Sequence, residues 1–421
     1  MKKLLSSSLV NSTLIYGGFS ALNKAVPFLL LPVFTRLLSP EDFGLLSLFT
    51  VLVNILTPFI GLNTHGAVSR AYFARDRFRF PSYVGNVFLV ILASSAVLLV
   101  LLYAGRGAVQ ALFSFPAEWL WAVFAVSAGG VVIQVCLVVW QVEFRAARYG
   151  LFQNLMTAAE IAVALFFILK LRLGWEGRVW SKVLVFSSFA VAALLLLRRE
   201  GKIALGARGE YVRHALGFGV PLIPHTLSPV INSAIGRVLI VRMIGLADTG
   251  LYSVGYQIGL IISILEDSFN KAFVPWLFGK LSLDSEAWRR KIVRLTYAYF
   301  AGIALAAVLL SAAAPWFMRW FVSESFRQAT SYILWIALGY AFHGMYKMVV
   351  NYIFYSEKTG LLPFVTFGCS VLNAVLSYVL IRRNGAIGAA QATTLVHLFT
   401  FLLTWYLSAR VYRMPWFSRG E

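Results

Sequence analysis

The chain has 421 residues, of which 60% are apolar, 15% aromatic and only 13% charged. That balance excludes an ordinary soluble domain and, with repeated apolar runs of about 20 residues, fits a polytopic helical membrane protein. The formal charge of +20 resembles a nucleic-acid signal, but membrane topology accounts for most of it, and no nucleic-acid partner is expected.

Hydropathy predicts about twelve spans, over 9–35, 43–66, 82–104, 117–141, 150–170, 177–197, 214–240, 248–276, 293–314, 329–354, 360–381 and 385–409. The first follows Lys2-Lys3 and continues past Pro27 and Pro32 with no small-residue cleavage site, so no cleavable signal peptide is expected. It ends at Ser39-Pro40, because proline cannot continue a helix and biases its predecessor toward an extended conformation. Glu41 and Asp42 then fall at the start of the second span, where carboxylates favour the positive end of the helix dipole.

This junction returns half a chain later. Offset by 206 positions, Arg36, Asp42, Gly44, Leu45 and Ser47 meet Arg242, Asp248, Gly250, Leu251 and Ser253. A chance match between apolar segments would not favour the polar positions, so two similar halves joined head to tail are expected. The expected fold is therefore all-α, with about twelve transmembrane helices in two six-helix lobes, residues 1–205 and 206–421. The seam is the basic, glycine-rich stretch 198–213, which with 70–81 and 279–292 makes up the longest polar loops.

Lys and Arg crowd one side of the membrane. With the N-terminus inside, the inner side holds Arg70, Arg145, Arg148, Lys202, Lys280, Arg289 and many others, while Lys170, Arg172 and Arg178 are among the few outside. Both termini are then cytoplasmic. Cys136 and Cys369 lie within apolar runs, far apart, and read as small buried hydrophobes.

Polar residues inside the spans carry the functional argument, because ionisable groups at that depth usually face the protein interior or a hydrated cavity. Tyr16, Ser20, Lys24 and Pro27 share one face of the first span, with Asn23 beside them. The seventh carries His225, Ser228, Asn232, Ser233 and Arg237; the eighth carries Tyr252, Tyr256, Ser263, Asp267, Asn270 and Lys271, with Glu266 adjacent. His343, Lys347 and Asn351 follow at steps of four in the tenth. Cationic stripes suit an anionic cargo, and Asn, Ser and Tyr suit sugar hydroxyls. Plainer readings stand beside these. Asp267 and Lys271 have the i, i+4 order of an intrahelical ion pair; Lys24 and Lys347 could snorkel; Arg237 could anchor at the interface. His225 or His343 could be a packing residue or a proton relay. Glu266 has no partner in its own helix and could carry a proton; Glu160 in the fifth span is a weaker case of the same kind. Pro221, Pro224 and Pro229 in the seventh span, like Pro27 and Pro32 in the first, should bend their helices.

Enzymatic signatures are missing. There is no GxxxxGK[ST] loop, no GxSxG and no metal-ligand spacing, so neither a cofactor nor a metal is expected and the chain does not read as an enzyme.

Several further stretches stand out: Thr35-Arg-Leu-Leu-Ser-Pro-Glu-Asp-Phe-Gly44, Gly219-Val-Pro-Leu-Ile-Pro224, Gly250-Leu-Tyr-Ser-Val-Gly-Tyr256, Pro275-Trp276, and Asn373 to Ile381 followed by Gly385 to Thr393. Together they resemble the Wzx-type polysaccharide and O-antigen flippases of the multidrug/oligosaccharidyl-lipid/polysaccharide exporter superfamily. The resemblance implies a central cavity lined by the first, second, seventh and eighth helices. It also implies a cargo: an undecaprenyl-pyrophosphate-linked oligosaccharide moved to the outer leaflet of the bacterial inner membrane, with membrane lipid, a polysaccharide polymerase and chain-length proteins as partners. On that basis Lys24, Arg237 and Lys271 attract pyrophosphate, Tyr16, Asn23, Asn232 and Tyr256 contact sugar, and His225 joins the substrate-binding set. One departure is Gly236, where the family commonly has an acid before the arginine; Glu266 or Asp267 is then the candidate for coupling. The alternatives are a multidrug or metabolite antiporter of the same superfamily, and a non-transporting scaffold of a glycan assembly complex.

Overall fold

The computed structural model describes Val26 and residues 28–416, apart from positions 75, 205, 284, 359 and 361. Among the described residues the chain is helical throughout, with no strand. The helices are α1 (Leu31–Leu37), α2 (Pro40–Gly61), α3 (Thr64–Phe73), α4 (Phe80–Ala104), α5 (Arg106–Phe113), α6 (Leu120–Val142), α7 (Ala146–Leu169) and α8 (Gly174–Arg199). They continue with α9 (Gly209–Gly219), α10 (Ile223–Met243), α11 (Leu246–Leu281), α12 (Glu286–Phe321), α13 (Thr330–Tyr355), α14 (Leu362–Asn384) and α15 (Ile387–Val411).

Each expected span from the second onward is helical. Among the described residues, nine helical stretches are long and apolar enough to cross a bilayer. The seventh and eighth expected spans are not among them, because α10 and α11 carry the polar residues that lower their hydropathy. The seventh span is one broken helix: α9 ends at Gly219, a 3-10 turn containing Pro221 covers Val220–Leu222, and α10 resumes with Pro229 inside it. Pro27 lies outside the described residues.

Two of the expected loops are shorter than the polarity of their sequence suggests. Helices α11 and α12 are 36 residues each, about 54 Å at the α-helical rise and well beyond the ~30 Å hydrocarbon core. Arg289, Arg290, Lys291 and Arg294 therefore sit in helix rather than in loop. Likewise α3 runs to Phe73. The 198–213 stretch is irregular only between α8 and α9, and it is tied to α4: Asn86 Nδ2 donates to Gly206 O at 2.9 Å and Asn86 Oδ1 accepts from Arg208 N at 2.8 Å.

The chain divides into two compact units, Met1–Leu38 with Leu45–Ile231, and Ser39–Gly44 with Asn232–Glu421. The first is packed around Tyr83, Val84, Val135, Cys136, Trp140 and Leu197. The second is packed around Ile262, Leu277, Ile292, Met348, Tyr352 and Phe401. Small residues bring α13 and α15 together: Ala337, Gly339 and Ala341 on one, Ala389, Ala390 and Ala392 on the other, all buried. In a bilayer, where association gains little from apolar burial, such close approach supplies the packing.

The repeated junction shows why its sequence is kept in both halves. Ser39 and Asp42 form a reciprocal cap, Ser39 N donating to Asp42 Oδ2 at 3.0 Å and Asp42 N to Ser39 Oγ at 3.1 Å. Within the second unit, a Cβ on Gly44 would lie 2.3 Å from Leu246 O, and one on Gly250 would lie 1.9 Å from Pro40 O. Gly250 matches Gly44 in the repeat, and Leu246 matches Pro40. The start of α2 and the start of α11 thus make the same contact twice, reciprocally.

Candidate functional site

The polar residues of the second unit gather along one seam between α11 and α13. On α13, Tyr340, His343, Lys347 and Asn351 succeed one another at steps of three and four, so they share a face. Each meets a polar partner on α11. Tyr340 and Tyr256 bring their hydroxyls to 2.5 Å. His343 Nδ1 lies 2.9 Å from Glu266 Oε1. Lys347 Nζ donates to Asp267 Oδ1 at 2.5 Å and lies 3.5 Å from Glu266 Oε1. Asn351 Nδ2 donates to Asn270 Oδ1 at 3.3 Å.

Glu266 is the most enclosed of these groups, at 0% exposure. Among the described residues its buried Oε2 has no hydrogen-bond partner. Room for the carboxylate comes from Gly344: a Cβ there would lie 3.0 Å from Glu266 Oε2 and 2.8 Å from Tyr299 Oη. His397, held by Gly339 O at 3.0 Å, places its ring 5.3 Å from that of His343 at a tilt of 34°.

At the other end of the seam, α10 contributes Arg237. Its Nη1 donates to Ser233 O at 2.6 Å, and its guanidinium sits 4.5 Å from the ring centre of Tyr256 and 5.9 Å from that of Tyr252. An arginine held over an aromatic face keeps part of its fork for a further acceptor. Asn232 Nδ2 donates to Ser370 Oγ at 2.9 Å, while its buried Oδ1 has no hydrogen-bond partner among the described residues.

The structure therefore joins Arg237 to Tyr256, and Glu266 and Asp267 to α13. It does not join all the candidate residues. Lys271 is exposed, and among the described residues the ion pair of Asp267 is with Lys347 of another helix, not with Lys271 one turn along its own. His225 is exposed and falls in the first unit. Lys24, Tyr16 and Asn23 lie outside the described residues.

A second ionic cluster, in the first unit, was not foreseen as one. Glu160 Oε1 on α7 meets Lys182 Nζ at 2.9 Å and Arg178 Nη1 at 3.2 Å, both from α8. Arg178 also lies 4.5 Å over the ring of Phe34. Arg178 is thus a half-buried helical residue and not an outer-loop cation. Its four-residue spacing from Lys182 was the available signal. Among the described residues no group of His, Cys, Asp or Glu is placed to hold a metal ion.

The family model described as "Polysaccharide biosynthesis protein" matches residues 9–280. The chain belongs to that family. As a polysaccharide biosynthesis protein it is similar to an "Uncharacterized membrane protein" of Haemophilus influenzae, 27% identical over 400 residues, covering 93% of this chain and 92% of the relative. Its fold is similar to that of the lipid II flippase MurJ in an inward closed conformation, with a TM-score of 0.69 at 15% identity over 96% of this chain and 87% of MurJ. A multidrug resistance MATE transporter of the MOP superfamily gives 0.63 at 16% identity, over 92% and 95% of the two chains. This polysaccharide biosynthesis protein is thus a multi-pass membrane protein with the fold of the MOP transporters.

Proposed function

We propose that this protein is a flippase for undecaprenyl-pyrophosphate-linked oligosaccharide repeat units. It moves them from the inner to the outer leaflet of the bacterial cytoplasmic membrane by alternating access, with both termini cytoplasmic, and feeds surface polysaccharide such as the O-antigen of lipopolysaccharide. The family supports glycan work, and the MurJ-like fold supports lipid-linked cargo. The observation that carries the reading is Arg237, held over Tyr256 beside the polar seam in a helix too polar to be a simple span. In this reading Arg237, with Lys24 and Lys271, attracts pyrophosphate. Tyr16, Asn23, Asn232, Tyr256 and His225 contact the saccharide, and the polyprenyl tail stays in lipid. Glu266 and Asp267 are the coupling groups. A polymerase and chain-length proteins act on the delivered units.

The test is leaflet accessibility of lipid-linked saccharide in a strain lacking the protein, using an external glycan-modifying probe on spheroplasts. Intact repeat units that accumulate out of the probe's reach are the expected result. Equal labelling with and without the protein would overturn the flippase reading. The likeness to MATE transporters and the two acids of the seam favour multidrug antiport as the second reading, and drug-efflux assays on the same strain test it.

A further inference from the structure

We infer that the junction of α11 and α12 carries a binding site for an anionic phospholipid, in which Lys280 and Lys291, gathered on Trp288, hold the lipid's phosphodiester. Three observations carry this. First, Lys280 in the last turn of α11 and Lys291 near the start of α12 converge on one indole. Their ammonium nitrogens lie 4.0 and 4.8 Å from the ring centre of Trp288. Each cation gains from the ring, but two ammoniums gathered on one side chain repel each other, and an anion beside them relieves that repulsion.

Second, the usual relief is missing. Other basic groups at helix ends are matched by acids: Lys202 by Glu143, Arg145 by Glu200 at 3.0 Å, and Arg290 by Glu286 at 3.0 Å. Among the described residues Lys280 and Lys291 have no such partner. Glu286 is taken by Arg290, and Asp284 lies outside the described residues. Third, the face of α12 that carries Lys291 continues at steps of three and four through Leu295, Ala298, Gly302, Leu305 and Leu309, all exposed. This apolar lane runs along a helix long and apolar enough to cross a bilayer.

Cations at the head of an exposed apolar lane fit an amphiphile with an anionic head. Its acyl chains lie along the lane, and its phosphate meets the two ammoniums at the depth where tryptophan concentrates. Lysine is a point charge without the planar fork by which arginine grips pyrophosphate, so a bilayer phosphodiester such as phosphatidylglycerol is the ligand and not the cargo's pyrophosphate. The site does not rest on the flippase reading.

The experiment is native mass spectrometry of the full-length protein in detergent, titrated with phosphatidylglycerol or with phosphatidylcholine of the same chains. Phosphatidylglycerol should be retained in preference. Lys280→Gln and Lys291→Gln should each weaken its apparent affinity about fivefold, and together about 25-fold, with phosphatidylcholine unchanged. Trp288→Leu keeps both charges but frees them, and should weaken it about threefold. Arg290→Gln removes a charge from the same turn that Glu286 already occupies, and should change retention less than about twofold. Soluble glycerol phosphate, a head without chains, should not displace the lipid. Equal retention of the two lipids, or an equal loss in Arg290→Gln, would leave only general surface charge and overturn the proposal. Displacement by glycerol phosphate would make this a free-anion site, and preference for undecaprenyl phosphate would make it a cargo site; either result also overturns it. Should a lysine variant fail to fold, Trp288→Leu and the competition arms decide. No transport is measured, so this site and the flippase reading can each fall without the other.

Discussion

The two ionic clusters use the same parts in opposite proportion. In the first unit one carboxylate, Glu160, serves two cations, Arg178 and Lys182, on the neighbouring helix. In the second unit two carboxylates, Glu266 and Asp267, share one lysine, and an imidazole completes the set. The first arrangement needs no proton to be neutralised: either cation alone can satisfy Glu160. The second holds two acids against one lysine, and its sealed carboxyl is short of partners. The two clusters thus differ less in residue type than in which sign is in excess.

Removing one lysine from each cluster breaks that comparison most severely. Lys347→Met leaves Glu266 and Asp267 side by side without their shared ammonium, and the expected loss is about 3–5 kcal/mol, the range for an orphaned buried charge. Lys182→Met leaves Glu160 with Arg178 at 3.2 Å, so about 1 kcal/mol is expected. Thermal unfolding of both variants in detergent checks this. Equal losses would mean that charge balance does not distinguish the two clusters.

Glycine supplies the next contrast. Gly344→Ala would crowd Glu266 Oε2 and Tyr299 Oη, at 3.0 and 2.8 Å from the new methyl. An expected loss of about 1–3 kcal/mol follows. Gly130→Ala, by contrast, meets only the ring of Phe186 at 3.7 Å, the ring over which Lys182 lies. Gly130→Ala should be near neutral or slightly stabilising, since alanine is the better helix former. Melting temperatures of the pair separate a pocket built around a carboxylate from ordinary helix packing.

How much of this was legible follows from range. Short-range chemistry was readable: Ser39-Pro40-Glu41-Asp42 names a helix stop and a helix start, and the structure ends α1 and caps α2 there. The step-of-four stripe His343, Lys347, Asn351 was readable as well, because a helix puts such residues on one face whatever surrounds it. What the stripe meets was not readable. His343 and Lys347 find Glu266 and Asp267 about 80 residues away, and hydropathy carries no information on which faces of two membrane helices turn to each other. The same blindness made Glu160 look unpartnered and Arg178 look like a loop residue. Long polar-ended helices were misjudged for a related reason: α11 and α12 outrun the hydrocarbon core, so their charged turns resemble loops in composition while remaining hydrogen-bonded helix.

Arg237 offers a subtler comparison, between charge and shape. Arg237→Lys keeps a cation near Tyr256 but gives up the planar fork that donates to Ser233 O and stacks on the ring. If Arg237 meets pyrophosphate, transport should fall about tenfold, roughly 1.4 kcal/mol, with the melting temperature nearly unchanged. The corresponding change in the first unit, Arg178→Lys, should leave transport intact, since Lys182 already supplies a point charge to Glu160. Spheroplast labelling rates measure both.

The smallest effect is expected where the seam is neutral. Tyr256 and Tyr340 join hydroxyl to hydroxyl at 2.5 Å, with rings 5.9 Å apart in a T-shaped contact. Tyr256→Phe removes one hydroxyl and leaves the other without its partner, for about 0.5–1.5 kcal/mol. Tyr340→Phe should cost a similar amount, and the double variant little more than either, because replacing both partners removes the unsatisfied group along with the bond. That non-additivity sets the neutral part of the seam apart from the charged part. For Lys347 and Asp267 the double removal still leaves Glu266 buried without its ammonium, so the double variant should remain strongly destabilised. A double-mutant cycle on each pair, read from thermal unfolding, makes the comparison quantitative. Near-complete rescue in the Lys347–Asp267 cycle would place the lysine's role with Asp267 alone and remove it from the Glu266 site.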